Sequence, residues 1–305
     1  MPKAKKSKNP EPLPGLPFID AHCHLPWAIP TEAQMPSPEE QYQDFFAQGG
    51  VYLITSSISW ETTVEMRAFA RDHAYVGFTC GWGPQTVTHT PPRQYSQEWA
   101  EWVQYVTATP DEFLAIGEAG LDFHHAKNAP AREKQIEEFR KVVQIALDLG
   151  KLLVLHVRNA SRNDVEQQDP DHPFNAPDGA NRCVLDILRE YHADPRRVVW
   201  HCFSGPPAYG PQLQEQGFLL SVPSSAWGFP KWARPSELVP ISDLITETDA
   251  CFQHPWKVGP YNVPSNVRYS IAAIAAAHNL PQEEVASQTV QNAILFFDLE
   301  GKIKE

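Results

Sequence analysis

Phe18-Ile19-Asp20-Ala21-His22-Cys23-His24 is a short apolar run that ends on two histidines one residue apart. It reads as a buried strand. Side chains alternate between the faces of a strand, so His22 and His24 point to one side and Cys23 to the other. Two imidazoles side by side at a strand's end make half of a metal site. A His-x-His pair alone is common, so its meaning depends on what else arrives at the same place.

Moving outward, similar runs recur along the chain. Residues Val51–Ser56, Tyr75–Cys80, Phe113–Glu118, Lys151–Val157, Arg197–Cys202, Gly217–Val222 and Leu244–Thr248 are predicted strands. Between them the spacing predicts helices over Glu39–Gln48, Glu61–Asp72, Ser96 to Ala108, Arg132–Leu149, Cys183–His192 and Gln212–Gln216. Ile136, Phe139, Val143 and Leu147 share one face of the longest, and Gly150 follows its end. Ser265–His278 and Pro281–Phe297 add helices at the C-terminus. Eight apolar strands alternating with helices predict an α/β fold, a (β/α)8 TIM barrel with extra C-terminal helices. An open, doubly wound sheet is the alternative. It would carry a glycine-rich phosphate loop after the first strand, and His22-Cys23-His24-Leu25-Pro26-Trp27 holds no glycine.

In a barrel of this kind the active site lies at the carboxyl ends of the strands. His22 and His24 end the first strand, Glu118 the fourth, His156 the fifth, His201 the sixth and Asp249 the eighth. Each alone has an ordinary structural reading: a hydrogen-bonded histidine, or a carboxylate capping a helix. Their convergence favours a shared site for two divalent metal ions. Glu118 is the bridging candidate, with His22, His24 and Asp249 on one ion and His156 and His201 on the other. Such ions lower the pKa of a bound water. Asp249 is placed to orient that water and take its proton, so Asp249 and Glu118 are the catalytic candidates. Mixed nitrogen and oxygen ligands suit Mg, Zn or Mn.

The 305 residues carry a formal charge of -12, which argues against a broad basic surface for duplex DNA. Bound dications would still make a local positive site. The 29 prolines cluster between the apolar runs and read as stiff loops. The five cysteines include no CxxC pair, which fits reduced, packed thiols in a cytoplasmic protein. Cys23 and Cys202 flank candidate ligands and are expected to point away from them by strand alternation. No run approaches the roughly 18 apolar residues of a membrane span. Lys3, Lys5, Lys6 and Lys8 are followed by no apolar core. Residues 1–16 are therefore expected to be a disordered tail and residues 17–300 a single domain. No obligate protein partner is signalled.

The ordered series FIDAHCHL, AIGEAGLDF, LVLHVRNA, HCFSG and ETDA, spread from residue 17 to about 298, resembles the TatD family of metal-dependent hydrolases and deoxyribonucleases. The resemblance implies the barrel, a divalent-metal centre on the six residues above, and hydrolysis of DNA phosphodiesters from a 3′ end. It also implies that Arg158 and Asp122 line the substrate pocket. The chain departs from the family on its loops. Cys80-Gly81-Trp82-Gly83-Pro84-Gln85 lacks the family's Gly-x-His-Pro histidine. Thr248-Asp249-Ala250-Cys251-Phe252 replaces Thr-Asp-Ala-Pro-Tyr, and Asn159 follows Arg158 where an aspartate is usual. The Asn159–Asn181 stretch reads as an insertion, either a lid over the site or a surface decoration, its position after a ligand strand favouring the lid.

The loops also carry aromatic residues: Trp27, Trp82, Trp227, Phe229, Trp232, Phe252, Trp256 and Tyr261. These either stack unpaired bases or simply cover the apolar mouth. Arg158, Arg162, Arg182, Lys231, Arg234 and Lys257 are interleaved with them. That pattern favours single-stranded DNA or an oligonucleotide over a long duplex. His124 and His125, directly after Asp122, read either as donors to a phosphate or, more commonly, as exposed loop histidines. Two competing functions are a metallohydrolase of small esters, lactones or amides, and a binding module that has lost catalysis. The first commonly uses a carbamylated lysine where this chain has Glu118, and the second does not need all six ligands.

Overall fold

The computed structural model describes residues 10–27, 35–161, 178–203, 205, 208–229, 237–256 and 261–304. Eight parallel strands follow one another around a barrel in chain order. They are β1 (Phe18–Cys23), β2 (Gly50–Ser56), β3 (Val76–Trp82), β4 (Ala115–Asp122), β5 (Leu152–Arg158), β6 (Val198–Trp200), β7 (Leu219–Pro223) and β8 (Leu244–Glu247). The helices are α1 (Pro38–Ala47), α2 (Trp60–Asp72), α3 (Pro84–His89), α4 (Pro92–Ala108), α5 (Ala129–Asp148), α6 (Gly179–Glu190), α7 (Tyr209–Glu215), α8 (Val267–His278) and α9 (Gln282–Phe297). The barrel expected from the alternation of strands and helices is the one observed.

Local chemistry sets several boundaries. Ser37 and Ser59 cap α1 and α2 reciprocally with Glu40 and Thr62. Each such cap contributes about 1 kcal/mol. Ser96 does not start a helix as expected. Pro92 at the first turn begins α4 earlier, and the Ser96 hydroxyl donates to the Pro92 carbonyl inside it. The short α3 was not anticipated; Pro84 sits in its first turn.

Ile19 and Ala21 of β1, Tyr52 and Ile54 of β2, Ala115, Val154, Val199 and Ile245 fill the lower barrel interior. Ala293 and Phe297 of α9, with Leu299, pack into the same cluster and plug its N-terminal end. Asn292 ties α9 to the start of β8 by donating to the Ile241 and Leu244 carbonyls, each at 2.7 Å. Residues 10–16 correct part of the expected disordered tail. Trp227 Nε1 donates to the Pro10 carbonyl, and Gln282 bonds both Leu13 and Glu11.

Two strands break their period just before they supply site residues. On β1, Asp20 pairs with Leu53 but Cys23 pairs with Thr55, so one extra residue enters between them. That bulge reverses the parity. Ile19 and Ala21 face inward below it, and His22 and His24 join the inward-facing site above it. On β4, Ile116 pairs with Leu153 and Ala119 with Leu155, again one residue too many. The bulge turns Glu118 inward above Ala115. It needs a glycine: Gly117 has φ +149°, and a Cβ there would lie 2.5 Å from the Val154 carbonyl oxygen. The strand then runs on to Asp122, so Glu118 lies within β4 rather than at its expected end.

β1 and β8 meet without a regular ladder. Thr246 Oγ1 donates to the Ile19 carbonyl at 3.0 Å, Asp249 N to the His22 carbonyl at 2.9 Å, and Thr248 Oγ1 and N to the Asp20 carboxylate. Burial pushes the Asp20 carboxyl well above its usual range despite these bonds.

Candidate metal centre

The six side chains expected to converge do so at the upper mouth of the barrel. Glu118 stands at the centre. Its Oε2 lies 3.2 Å from His22 Nε2, 3.6 Å from His24 Nε2 and 4.0 Å from His201 Nε2. Its Oε1 lies 2.6 Å from His156 Nδ1. Asp249 Oδ1 lies 3.2 Å from His24 Nε2 and 3.9 Å from His22 Nε2. Ligand atoms about 2.0–2.2 Å from a tetrahedral ion are separated by roughly 3.3–3.6 Å, so the spacing around His22, His24, Glu118 and Asp249 suits one cation. Glu118, His156 and His201 make a second cluster with ligand atoms all within 4.8 Å of one another.

His22 Nε2 is buried without a hydrogen-bond partner, although Glu118 lies beside it. A buried polar atom left so is costly, and a cation among these donors would satisfy it. The other nitrogens are held. His24 Nδ1 meets the Ser56 carbonyl at 2.8 Å. A carbonyl only accepts, so Nδ1 carries the proton and Nε2 turns its lone pair to the cluster. His22 Nδ1 lies 3.0 Å from Ser56 Oγ, and His201 Nδ1 3.3 Å from Glu247, which also accepts from Ser221 at 2.6 Å. His156 Nε2 lies 3.1 Å from Asp122 Oδ2. Every imidazole in the cluster is thus oriented from behind by an oxygen.

The charges are strongly coupled. Burial alone would raise the Glu118 carboxyl, but the His156, His22 and His201 imidazoles hold it well below the usual carboxylate range. Burial opposes protonation of His156, yet Glu118 and Asp122 raise it to about 10. Burial likewise opposes protonation of His201, which Glu247, Glu118 and Asp249 raise to about 9. Burial and the neighbouring charge of His201, whose ring stacks on it at 3.8 Å, lower His22. The ion-free site therefore holds protons where cations would sit.

A cavity of about 350 Å3 opens above the cluster. Arg158 lines it, the one lysine or arginine to do so among the described residues. Asp122 does not line it. It is fully buried beneath, accepting from His156, His125 and Gln85. Trp27 and Phe252 form an aromatic corner over His24, with ring centroids 5.9 and 5.6 Å from it. A larger cleft, about 920 Å3, lies at the opposite end beside the starts of β3, β4 and β5 and carries none of the six residues.

Several expectations need correction. Trp82 is not at the rim; it is buried against Tyr95, Trp99 and Trp102. Cys202 lines the cavity rather than pointing away, because β6 ends at Trp200 and alternation stops there. Arg182 is an exposed partner of Asp178. Trp232, Arg162, Lys231, Arg234, Lys257 and most of the 159–181 insertion lie outside the described residues. Sequence reasoning missed Glu247, Ser56 and Gln85. Glu247 opens the quoted ETDA stretch, but nothing in the sequence showed its contact with His201.

Comparison with known proteins places the chain among similar molecules. The sequence profile described as TatD related DNase matches residues 19–298. An uncharacterized metal-dependent hydrolase of Bacillus subtilis, YabD, is 25% identical over 285 residues, covering 92% of this chain and 98% of that one. Human deoxyribonuclease TATDN3 is 30% identical over 187 residues, 61% of each chain. The crystal structure of a TatD family hydrolase from Entamoeba histolytica superposes with a TM-score of 0.74 at 17% identity, over 93% of this chain and 99% of that one.

Proposed function

Since the chain belongs to the TatD related DNase family of metal-dependent hydrolases, we propose that it is a two-metal phosphodiesterase that removes nucleotides from the 3′ end of single-stranded DNA or oligonucleotides. The observation that carries this reading is the division of Glu118: one carboxylate oxygen faces His22 and His24, the other His156. His22, His24 and Asp249 would hold one ion and His156 and His201 the other, with Glu118 between them. Bound divalent cations supply a water of lowered pKa and neutralise charge on the phosphoryl oxygens.

The chain's own groups do the rest. Asp249 accepts the proton of the attacking water. Arg158 takes a non-bridging phosphate oxygen at the cavity wall, a contact suited to its planar fork of donors. Trp27 and Phe252 offer faces and edges to a terminal base, worth about 1–3 kcal/mol by stacking. Asp122 keeps the His156 ring in one orientation. A cavity of about 350 Å3 is at the small end of ligand pockets and suits a chain terminus. The deoxyribonuclease name of the human relative supports DNA as substrate.

The test uses protein reconstituted in turn with Zn, Mn and Mg, assayed on bis-p-nitrophenyl phosphate and on end-labelled single strands. Glu118→Gln and His201→Ala are expected to lower turnover at least about 100-fold with an unchanged circular dichroism spectrum. Full turnover by Glu118→Gln would refute the bridging role. Circular single strands cut as fast as linear ones would refute 3′ polarity. Hydrolysis of p-nitrophenyl acetate or a lactone with no phosphodiester cleavage would favour small esters, lactones or amides as substrates instead.

A further inference from the structure

We propose that His125 delivers the proton to the oxygen that leaves phosphorus; the inference rests on the phosphodiesterase reading above and names the acid that such a reaction needs. His125 sits in the turn that follows β4 and lines the same cavity as Glu118, Asp249, His201 and Arg158. Its Nδ1 lies 2.7 Å from Asp122 Oδ2, and its backbone N–H donates to Asp122 Oδ1 at 3.0 Å. A carboxylate accepts, so Nδ1 carries the proton and fixes the ring, and Nε2 is the nitrogen left for substrate. The side chain is 40% exposed and its aspartate 0%. The pair therefore has a buried orienting carboxylate and an accessible imidazole, the arrangement of a histidine acting in proton transfer.

The turn is rigid. The fully buried Arg132 donates through Nε to the Ala126 carbonyl at 2.9 Å, and Gln135 accepts from Asp122 N at 2.9 Å. A group held this way stays within the small tolerance that proton transfer demands.

Position in the barrel selects the role. In the eight-strand ring β4 lies opposite β8. Asp249 follows β8 and His125 follows β4, so the two enter the shared cavity from opposite strands of the ring. Displacement at phosphorus is in line, with the attacking and leaving oxygens on opposite sides. A water oriented by Asp249 thus places the leaving oxygen on the His125 side. Among the described residues that line the cavity outside the metal cluster, neither Arg158 nor Gln85 suits the task. Arg158 does not give up its proton. The Gln85 amide does not ionise.

The step balances with His125 as the imidazolium, Nδ1–H on Asp122 and a second proton on Nε2. The water oxygen bonds to phosphorus, the bond from phosphorus to the departing nucleoside oxygen breaks, Asp249 takes the water's proton, and His125 gives the Nε2 proton to the departing oxygen and is left neutral.

The experiment compares leaving groups. A nucleoside alkoxide needs protonation, whereas p-nitrophenolate leaves as a stable anion. Wild type, His125→Ala and His125→Gln are assayed on a short single-stranded oligonucleotide and on bis-p-nitrophenyl phosphate, with bound metal measured by elemental analysis. Both variants are expected to lose on the order of 100-fold more kcat on the oligonucleotide than on the activated ester, at equal metal content. Equal losses on both substrates, or no loss on either, would overturn the proposal. A wild-type protein that cleaves neither substrate with any of the metals would overturn the phosphodiesterase reading and this one with it.

Discussion

Glu247 shows how much a single residue behind the cluster controls. It is fully buried, touches His201 Nδ1 and accepts from Ser221. Carboxylates in this position hold an imidazole's tautomer and raise its basicity. Glu247→Gln is expected to weaken metal binding by about 10–100-fold in a chelator competition, while a thermal melt of the ion-free variant stays cooperative. The protons on His156 and His201 give a second expectation. With folded values of about 10 and about 9, both rings are charged at neutral pH in the ion-free protein. Their values lie above the roughly 6.5 of an unfolded histidine. The stability they add is complete below about pH 6.5 and is lost as pH rises through 9 and then 10. Cations bind only the neutral rings, so loading at pH 7 should release protons. Titration calorimetry in buffers of different ionisation enthalpy measures that release; none would contradict this account.

At the scale of elements, the two bulges decide where the chemistry faces. Gly117→Ala combines positive φ with a clash against Val154. It should cost about 1–3 kcal/mol in a urea melt and also displace Glu118, so metal content falls even where the variant folds. Neither bulge was legible in the sequence. The alternation of His22 and His24 was read correctly because the extra residue enters before the pair's own period begins to count, between Asp20 and Cys23, whereas the apolar residues below follow the other parity. The barrel itself was legible because β-branched runs and helical spacing alternate along the chain. The six clustered residues were legible because each stands near the top of such a run. Ser56, Gln85 and Glu247 were not, since their parts arise from contacts with residues more than 30 positions away. Nothing in the sequence showed that the Asp122 carboxylate lies against His125 Nδ1.

For the whole molecule, the two ends of the barrel separate stability from chemistry, as is usual for this architecture. Phe297 fills the lower interior with Ala293 and Leu299, far along the strands from the six residues. Phe297→Ala should cost about 3 kcal/mol in equilibrium unfolding. At temperatures where the variant remains folded, kcat on an oligonucleotide should match that of wild type. A matching loss of kcat would mean that the plug also shapes the mouth.

The join between β1 and β8 has a temporal meaning as well. Asp20 and Thr248, 228 positions apart, hold together the two segments that present His22, His24 and Asp249. A polypeptide still emerging from the ribosome, or one clipped by a protease ahead of residue 249, has only part of this grip on a cation. The cluster is therefore complete only once the last strand has joined the first.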